Sequence, residues 1–293
     1  MARCFSLNIE EILNSSLLTL HSYMTLYPCA KINLGLNVTE KRPDNYHNLE
    51  TVFLPIAVCD ELVVELSDAE DVPSEDNLVT KAYRLLSQEY TLPPLHISLT
   101  KNIPMQAGLG GGSSDCAYTI RAINEICHLG LSIAQMRQYA AKLGADCAFF
   151  IDTDPENPVP AFATGIGDII TPMEPLNCLK GKYLLLIKPD VAVSTKEAYM
   201  GIKPQKPQES PAVSVLRPIN EWREYLTNDF EKSIFPKLPI LAETKEKMYE
   251  NGAIYAAMSG SGSTVFGIFD AQPDTTKSLN TTTSQYYAKT IRL

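Results

Sequence analysis

A chain of 293 residues, 45% hydrophobic and 20% charged, is long enough to bury a sizeable core as one large domain or two smaller ones. Its formal net charge of -9 and pI near 5.0 argue against a surface that tracks nucleic-acid phosphates and favour a small substrate. No apolar run approaches the roughly 18 residues of a membrane span, and seven cysteines, an odd number without a C-x-x-C pair, suit buried thiols in a reducing cytosol rather than a cysteine-built zinc site.

Residues 1–23 read as an extension. Leu17-Leu18-Thr19-Leu20 follows Glu10 and Glu11 with only Arg3 basic, which is a poor secretory signal, and Met24 stands just before the first convincing strand. Their removal is expected to be tolerated. From Cys29, the stretch Ala30-Lys31-Ile32-Asn33-Leu34-Gly35-Leu36 alternates as a half-buried strand does, with Lys31, Asn33 and Gly35 on one face. Periodicity alone makes that a solvated face. Arg42-Pro43-Asp44-Asn45 is a turn, Tyr46-His47 its exit, and Leu49 to Ile56 the next strand. An aromatic and an imidazole at that exit suit stacking on a base, although a lone loop His is usually just solvated.

Glu61 to Leu66 is a further strand, and Asp76 is placed to cap a helix carrying Leu78, Ala82, Leu85 and Leu86 on one side. Leu95 to Lys101 is a strand that feeds Pro104-Met105-Gln106-Ala107-Gly108-Leu109-Gly110-Gly111-Gly112-Ser113-Ser114. The apolar spacing of Cys116, Ile120, Ile123 and Cys127 puts a helix start near Ser113. Glycines that admit a close backbone approach, followed by the free N–H groups of a helix start, form a cradle for phosphate. Glycine runs also serve as plain turns, but four glycines in five positions exceed what a turn requires. The P-loop pattern fails for want of a Lys after its last glycine, and the dinucleotide fingerprint lacks its third glycine at Ser113.

Ser132 with Gln135 forms a capping-box signature for a helix buried through Met136, Tyr139, Ala140 and Leu143 and ended by Gly144. Asp146 then stands at the edge of the apolar Cys147 to Ile151, where it is either a perturbed general base or an ordinary cap. Ala161 to Thr164 and Asp168 to Thr171 are short strands. Pro172, Pro175 and Gly181 mark a boundary, and Tyr183 to Ile187 opens a second unit. There an exposed loop over 203–211, a helix over 240–250, strands Ala253 to Met258 and Thr264 to Phe269 around Ser259-Gly260-Ser261-Gly262-Ser263, a weak helix from Pro273 and a strand from Tyr286 suggest a ferredoxin-like sandwich. No internal repeat is present.

Three of these motifs, Pro28 to Leu34, Pro104 to Ser114 and Ser259 to Ser263, resemble the GHMP kinase superfamily, and the resemblance runs from about residue 24 to the C-terminus. Arg42-Pro43-Asp44-x-Tyr46-His47-x-Leu49 and Gly144-Ala145-Asp146 resemble more narrowly the branch that phosphorylates a cytidylyl diphosphate sugar alcohol of the non-mevalonate isoprenoid pathway. The resemblance implies an α+β, two-domain fold: a ribosomal protein S5 domain 2-like N-terminal domain over 24–178 and a ferredoxin-like C-terminal domain over 179–293. It implies Asp146 as general base for the substrate hydroxyl, with Lys31 beside it assisting that hydroxyl's activation. It assigns Asn77, Leu78 and Lys101 to the adenosine of ATP and the loop from Pro104 through Gly108 to Ser114 to its phosphates. Asn33, Tyr46, His47 and Tyr199 go to the cytidine end, and magnesium ions are retained mostly by phosphate oxygens and water, with no protein ligand named.

It further implies a cytoplasmic monomer or weak homodimer with no nucleic-acid or membrane partner. This sequence departs from the pattern at Gln106 and Ala107, where glycines are usual, at Ala148, where proline is, and at Ser261 and Ser263 in the third motif. A kinase of homoserine or mevalonate-type alcohols and a catalytically silent nucleotide binder on the same fold stay open as alternatives.

Overall fold

The computed structural model describes residues 23–73, 77–278 and 286–293. Two compact units are interleaved along the chain, one comprising the residues up to Cys29, Val58–Ile103 and Gly111–Asp152, the other Ala30–Ala57, Pro104–Gly110 and Thr153–Leu293. The strands and helices of the first half are β1 (Tyr23–Leu26), β2 (Cys29–Lys41), β3 (His47–Cys59), β4 (Glu61–Leu66), α1 (Leu78–Ser87), β5 (Leu95–Thr100), α2 (Gly111–Ile126) and α3 (Ile133–Leu143). Those that follow are β6 (Ala161–Thr164), β7 (Ile169–Pro172), β8 (Tyr183–Pro189), α4 (Thr195–Met200), α5 (Pro211–Ser214), α6 (Trp222–Tyr225), α7 (Asp229–Ile234), α8 (Pro239–Glu250), β9 (Tyr255–Met258), β10 (Val265–Phe269), α9 (Thr275–Ser278) and β11 (Tyr286–Arg292).

In the first unit the antiparallel sheet β1-β4-β5 packs against α2, which α1, α3 and the 3₁₀ segment Ala145–Asp152 also cover. A helix covered on so many sides buries more than one stripe, and Ser114 through Ile120 are buried without a break. The helix starts at Gly111, two residues before the start expected at Ser113, because the glycines themselves adopt its first turn. Asn77 caps α1 by accepting the Val79 N–H at 2.9 Å, whereas Asp76 lies outside the described residues. The buried face of α1 is Val79, Ala82, Tyr83 and Leu86; Leu78 and Leu85, expected there, are half-buried. The capping box at Ser132 forms in full, and only Leu143 of the expected stripe is half-buried. Residues 1–22 of the extension lie outside the described residues, and its last residue, Tyr23, opens β1 opposite Glu65.

The second unit carries the sheets β2-β3-β6-β7 and β11-β8-β10-β9. The latter is antiparallel, and its strands and the helices between them follow the β-α-β-β-α-β course of a ferredoxin-like sandwich. Its core joins Leu185 and Ile187 of β8, Val265 and Phe269 of β10, Phe230 and Ile234 of α7, Leu241 and Met248 of α8, and Leu36 and Val38 of β2. Each such side chain contributes roughly 1.5–3 kcal/mol by leaving water. The most consequential departure from the alternation pattern is β2 itself. Its residues Cys29 through Val38 are buried on both faces, so the solvated face expected for Lys31 and Asn33 does not exist, and each is only 3% exposed.

Candidate active site

A buried ammonium needs acceptors, and Lys31 finds them within its own unit. Its Nζ donates to Asn33 Oδ1 at 2.6 Å and to the Gly108 carbonyl at 3.1 Å, and lies 5.1 Å from the centre of the Phe53 ring. Asn33 in turn donates through Nδ2 to Thr51 Oγ1 at 3.0 Å, which fixes the amide with its oxygen toward the lysine. Thr51 Oγ1 donates in turn to the Gly35 carbonyl at 2.5 Å. The chain of bonds holds one rotamer for each member, so the charge is delivered at a fixed point beside the glycine loop.

The third glycine motif completes this frame. Ser259 Oγ donates to the Gly108 carbonyl at 2.9 Å, the Lys31 N–H to the Leu109 carbonyl at 2.9 Å, and the Thr264 N–H to the Ala107 carbonyl at 3.1 Å. Asn228 steadies the motif from below by donating to the Met258 and Gly260 carbonyls at 2.7 and 2.8 Å. Such contact needs glycine at 108, where φ is +73° and a Cβ would lie 2.0 Å from the Ser259 carbonyl oxygen. Gln106, standing where a glycine is usual, also holds a left-handed φ of +50°, a strain of about 1 kcal/mol that a glycine would avoid. Gly108→Ala is expected to displace the loop backbone, lowering Tm and raising KM for ATP about tenfold or more. Thermal unfolding and initial rates check this, and unchanged values for both would show that the Ser259 contact is dispensable.

The other half of the glycine run belongs to the first unit. Leu78, next to the Asn77 cap, approaches Gly112, with its Cδ1 3.6 Å from where a Cβ on that glycine would be. Lys101 Nζ lies 3.3 Å from the corresponding point on Gly111. The same ammonium is bonded to two buried carboxylates, Asp60 and Asp115, the latter at 2.6 Å. Asn77, Leu78, Lys101 and Gly111 to Ser114 are thus brought together. Asp146, half-buried, lies in the first turn of the 3₁₀ segment that packs on α2. The neighbouring Cys147 lies against Cys116 and Ser113, which hold its thiol below the usual range, Cys116 most of all. The segment bearing Asp146 is therefore tied to the first turn of α2. Lys31 and Asp146 belong to different units.

His47 opens β3 and stacks on Tyr199 of α4, with ring centres 4.9 Å apart and planes at 19°. Phe230 meets the Tyr199 ring edge-on at 4.8 Å. Burial, then the charge of Lys41, pushes the His47 imidazole below its usual value, so it is neutral at neutral pH and offers an uncharged ring face. The two rings are in contact, so one face of His47 is already taken by Tyr199. Tyr46 beside it is 60% exposed. Thr51, Asp60, Asp115 and Asn228 were not singled out from the sequence. Only Asp115, directly after the glycine loop, stood at a motif that pointed toward it.

The family described as GHMP kinases N terminal domain matches residues 77–153, and that described as GHMP kinases C terminal matches 212–278. The chain is similar to a Bacteroides thetaiotaomicron 4-diphosphocytidyl-2-C-methyl-D-erythritol kinase, 51% identical over 262 residues, or 85% of this chain and 93% of that protein. A Parabacteroides distasonis protein of the same name is 48% identical over 256 residues, 84% of this chain and 92% of its own length. A crystal structure of a 4-(cytidine 5'-diphospho)-2C-methyl-D-erythritol kinase superposes with a TM-score of 0.75 at 28% identity, covering 91% of this chain and 98% of the other. The chain accordingly has the two-domain GHMP kinase fold, and it belongs to the 4-diphosphocytidyl-2-C-methyl-D-erythritol kinase family of GHMP kinases.

Proposed function

We propose that this chain transfers the γ-phosphoryl group of ATP to the 2-hydroxyl of 4-diphosphocytidyl-2-C-methyl-D-erythritol, a step of the non-mevalonate isoprenoid precursor pathway. The observation that carries the reading is 51% identity to a relative of that name across 93% of its length. The chain is an ATP-dependent small-molecule kinase built as an N-terminal domain over 24–178 and a C-terminal domain over 179–293. The matched spans 77–153 and 212–278 fall on either side of that boundary, which supports the division.

In this reading Asp146 accepts the proton of the substrate hydroxyl as its oxygen bonds to the γ-phosphorus and the bridging bond to the β-phosphate breaks, releasing ADP. Lys31, already held at the Gly108 carbonyl, supplies positive charge to the transferring group. Backbone N–H groups from Gly108 to Ser114 and the start of α2 hold the phosphates. Asn77, Leu78 and Lys101 meet the adenosine, while Asn33, Tyr46, His47 and Tyr199 receive the cytidine end. Among the described residues no group of three His, Cys, Asp or Glu side chains is arranged to hold a metal, and the loop offers hydroxyls and backbone instead. That donor set fits magnesium carried in on phosphate oxygens and water, where it neutralises phosphate charge. No helix among the described residues is long and apolar enough to cross a membrane. The same reading makes the chain a cytoplasmic enzyme acting as a monomer or weak homodimer.

Product formation from ATP with a panel of the cytidylyl substrate, homoserine and mevalonate tests the assignment, and phosphorylation of only the last two would overturn it. His47→Ala is expected to raise KM for the cytidylyl substrate about 5- to 150-fold, the equivalent of roughly 1–3 kcal/mol of stacking on a base, with KM for ATP little changed. Equal KM values for variant and parent would mean that His47 merely packs on Tyr199.

A further inference from the structure

In the first unit one cluster carries a charge that its neighbours do not balance. Asp60 and Asp115, 0% and 2% exposed, share the ammonium of Lys101. Asp60 is satisfied on both oxygens, since Oδ1 also accepts the N–H groups of Asn102 at 2.5 Å and Ile103 at 2.8 Å. Asp115 is not. Its Oδ2 takes Lys101, but the buried Oδ1 has no hydrogen-bond partner among the described residues, and neither does the Ser114 hydroxyl beside it. With both carboxylates ionised the cluster has a net charge of about -1, and a bare carboxylate oxygen away from water is costly; a proton on Asp115 removes the excess charge and leaves at that oxygen only a neutral polar group unpaired, the smaller penalty.

Of the charged groups that face Asp115, Asp60 favours that proton and Lys101 opposes it. Burial raises its carboxyl to about 7, against the pull of Lys101 at the end of β5 and with the help of the Asp60 charge between β3 and β4. On its own helix, Cys116 is held neutral, pushed far up by its contact with Cys147 and by burial. From α1, Leu78, which approaches Gly112 at the start of α2, is uncharged. Asp115 lies four residues after Gly111, the first residue of α2, so an anion held at that helix start would add negative charge close to the carboxyl.

We propose that Asp115 holds a proton when nucleotide phosphate occupies the glycine loop, so that this chain takes up a proton at Asp115 as it binds ATP. The inference rests on that loop being the phosphate site. By linkage, the proton and the phosphate favour each other: affinity is highest with Asp115 neutral and falls as pH rises and ionises it. Asp115→Asn is the isosteric, permanently neutral counterpart.

The test is the Kd of ATP for the parent protein and Asp115→Asn from pH 6 to 8.5 at constant ionic strength. ATP's own titration cancels in the ratio of the two. The ratio of parent to variant Kd is expected to be flat at the acid end and to climb by up to about tenfold per pH unit above neutrality. Parallel profiles would overturn the proposal. Absence of ATP binding to the parent at every pH would instead overturn the reading of the loop, and the inference with it. Should the variant not fold, infrared difference spectra of the parent with isotope-labelled aspartate decide the matter: a protonated-carboxyl band must grow when ATP is added at pH 8, and its absence counts against the proposal.

Discussion

Asp146→Asn is expected to lower kcat by about 10²–10⁴-fold, the usual contribution of a positioned general base, while ATP still binds. The amide has the shape of the carboxylate but cannot accept the substrate proton. Position should survive the change. The residues after Asp146, Cys147 through Ile151, are buried and anchor the segment, which packs on α2. Asp146 itself is half-buried at the segment's edge, so the loss is confined to chemistry rather than to folding. Single-turnover rates with saturating ATP, beside calorimetric ATP binding, separate the two. Turnover near that of the parent would remove Asp146 from the base role and leave it as a cap on its own turn.

What could be read from the sequence was chemistry that closes over a few residues. The strand Glu61–Leu66 matches its expectation residue for residue, because it lies between β1 and β5 with one face toward α2, the half-buried situation that alternation encodes. Ser132 and Gln135 complete a capping box within four positions. The same rule failed for β2, because alternation describes a strand with one wet face. The partners that bury Lys31 and Asn33 come from afar: the Gly108 carbonyl is 77 residues from Lys31, and Ser259 is 226 from Asn33. Local pattern holds no record of them. The Asp60–Lys101–Asp115 cluster was hidden for the same reason, its members standing 41 and 14 residues from the lysine. Family resemblance supplied the roles of Lys31 and Asp146, and only the structure supplied the reason the lysine is held still.

Lys31→Met is expected to lower kcat about 10²–10³-fold, the scale of removing one preorganised charge from a phosphoryl-transfer site. Methionine follows nearly the same path through the core, so the apolar packing is largely kept, but the ammonium goes. Asn33 Oδ1, in a residue that is 3% exposed, then loses its close donor, and the Gly108 carbonyl loses one of its two. Each unsatisfied buried acceptor costs roughly 1–3 kcal/mol, so Tm should fall as well. Gly108 keeps its bond from Ser259, which limits the disturbance of the loop and predicts that KM for ATP changes less than kcat. Lys31→Arg separates charge from shape, since it keeps the cation but brings a planar guanidinium into a site that fits a compact ammonium. Partial recovery of kcat with arginine would assign the effect to charge. If Lys31→Met lowers Tm and raises KM for ATP while kcat stays near that of the parent, the lysine is a strut for the glycine loop and takes no part in the chemistry.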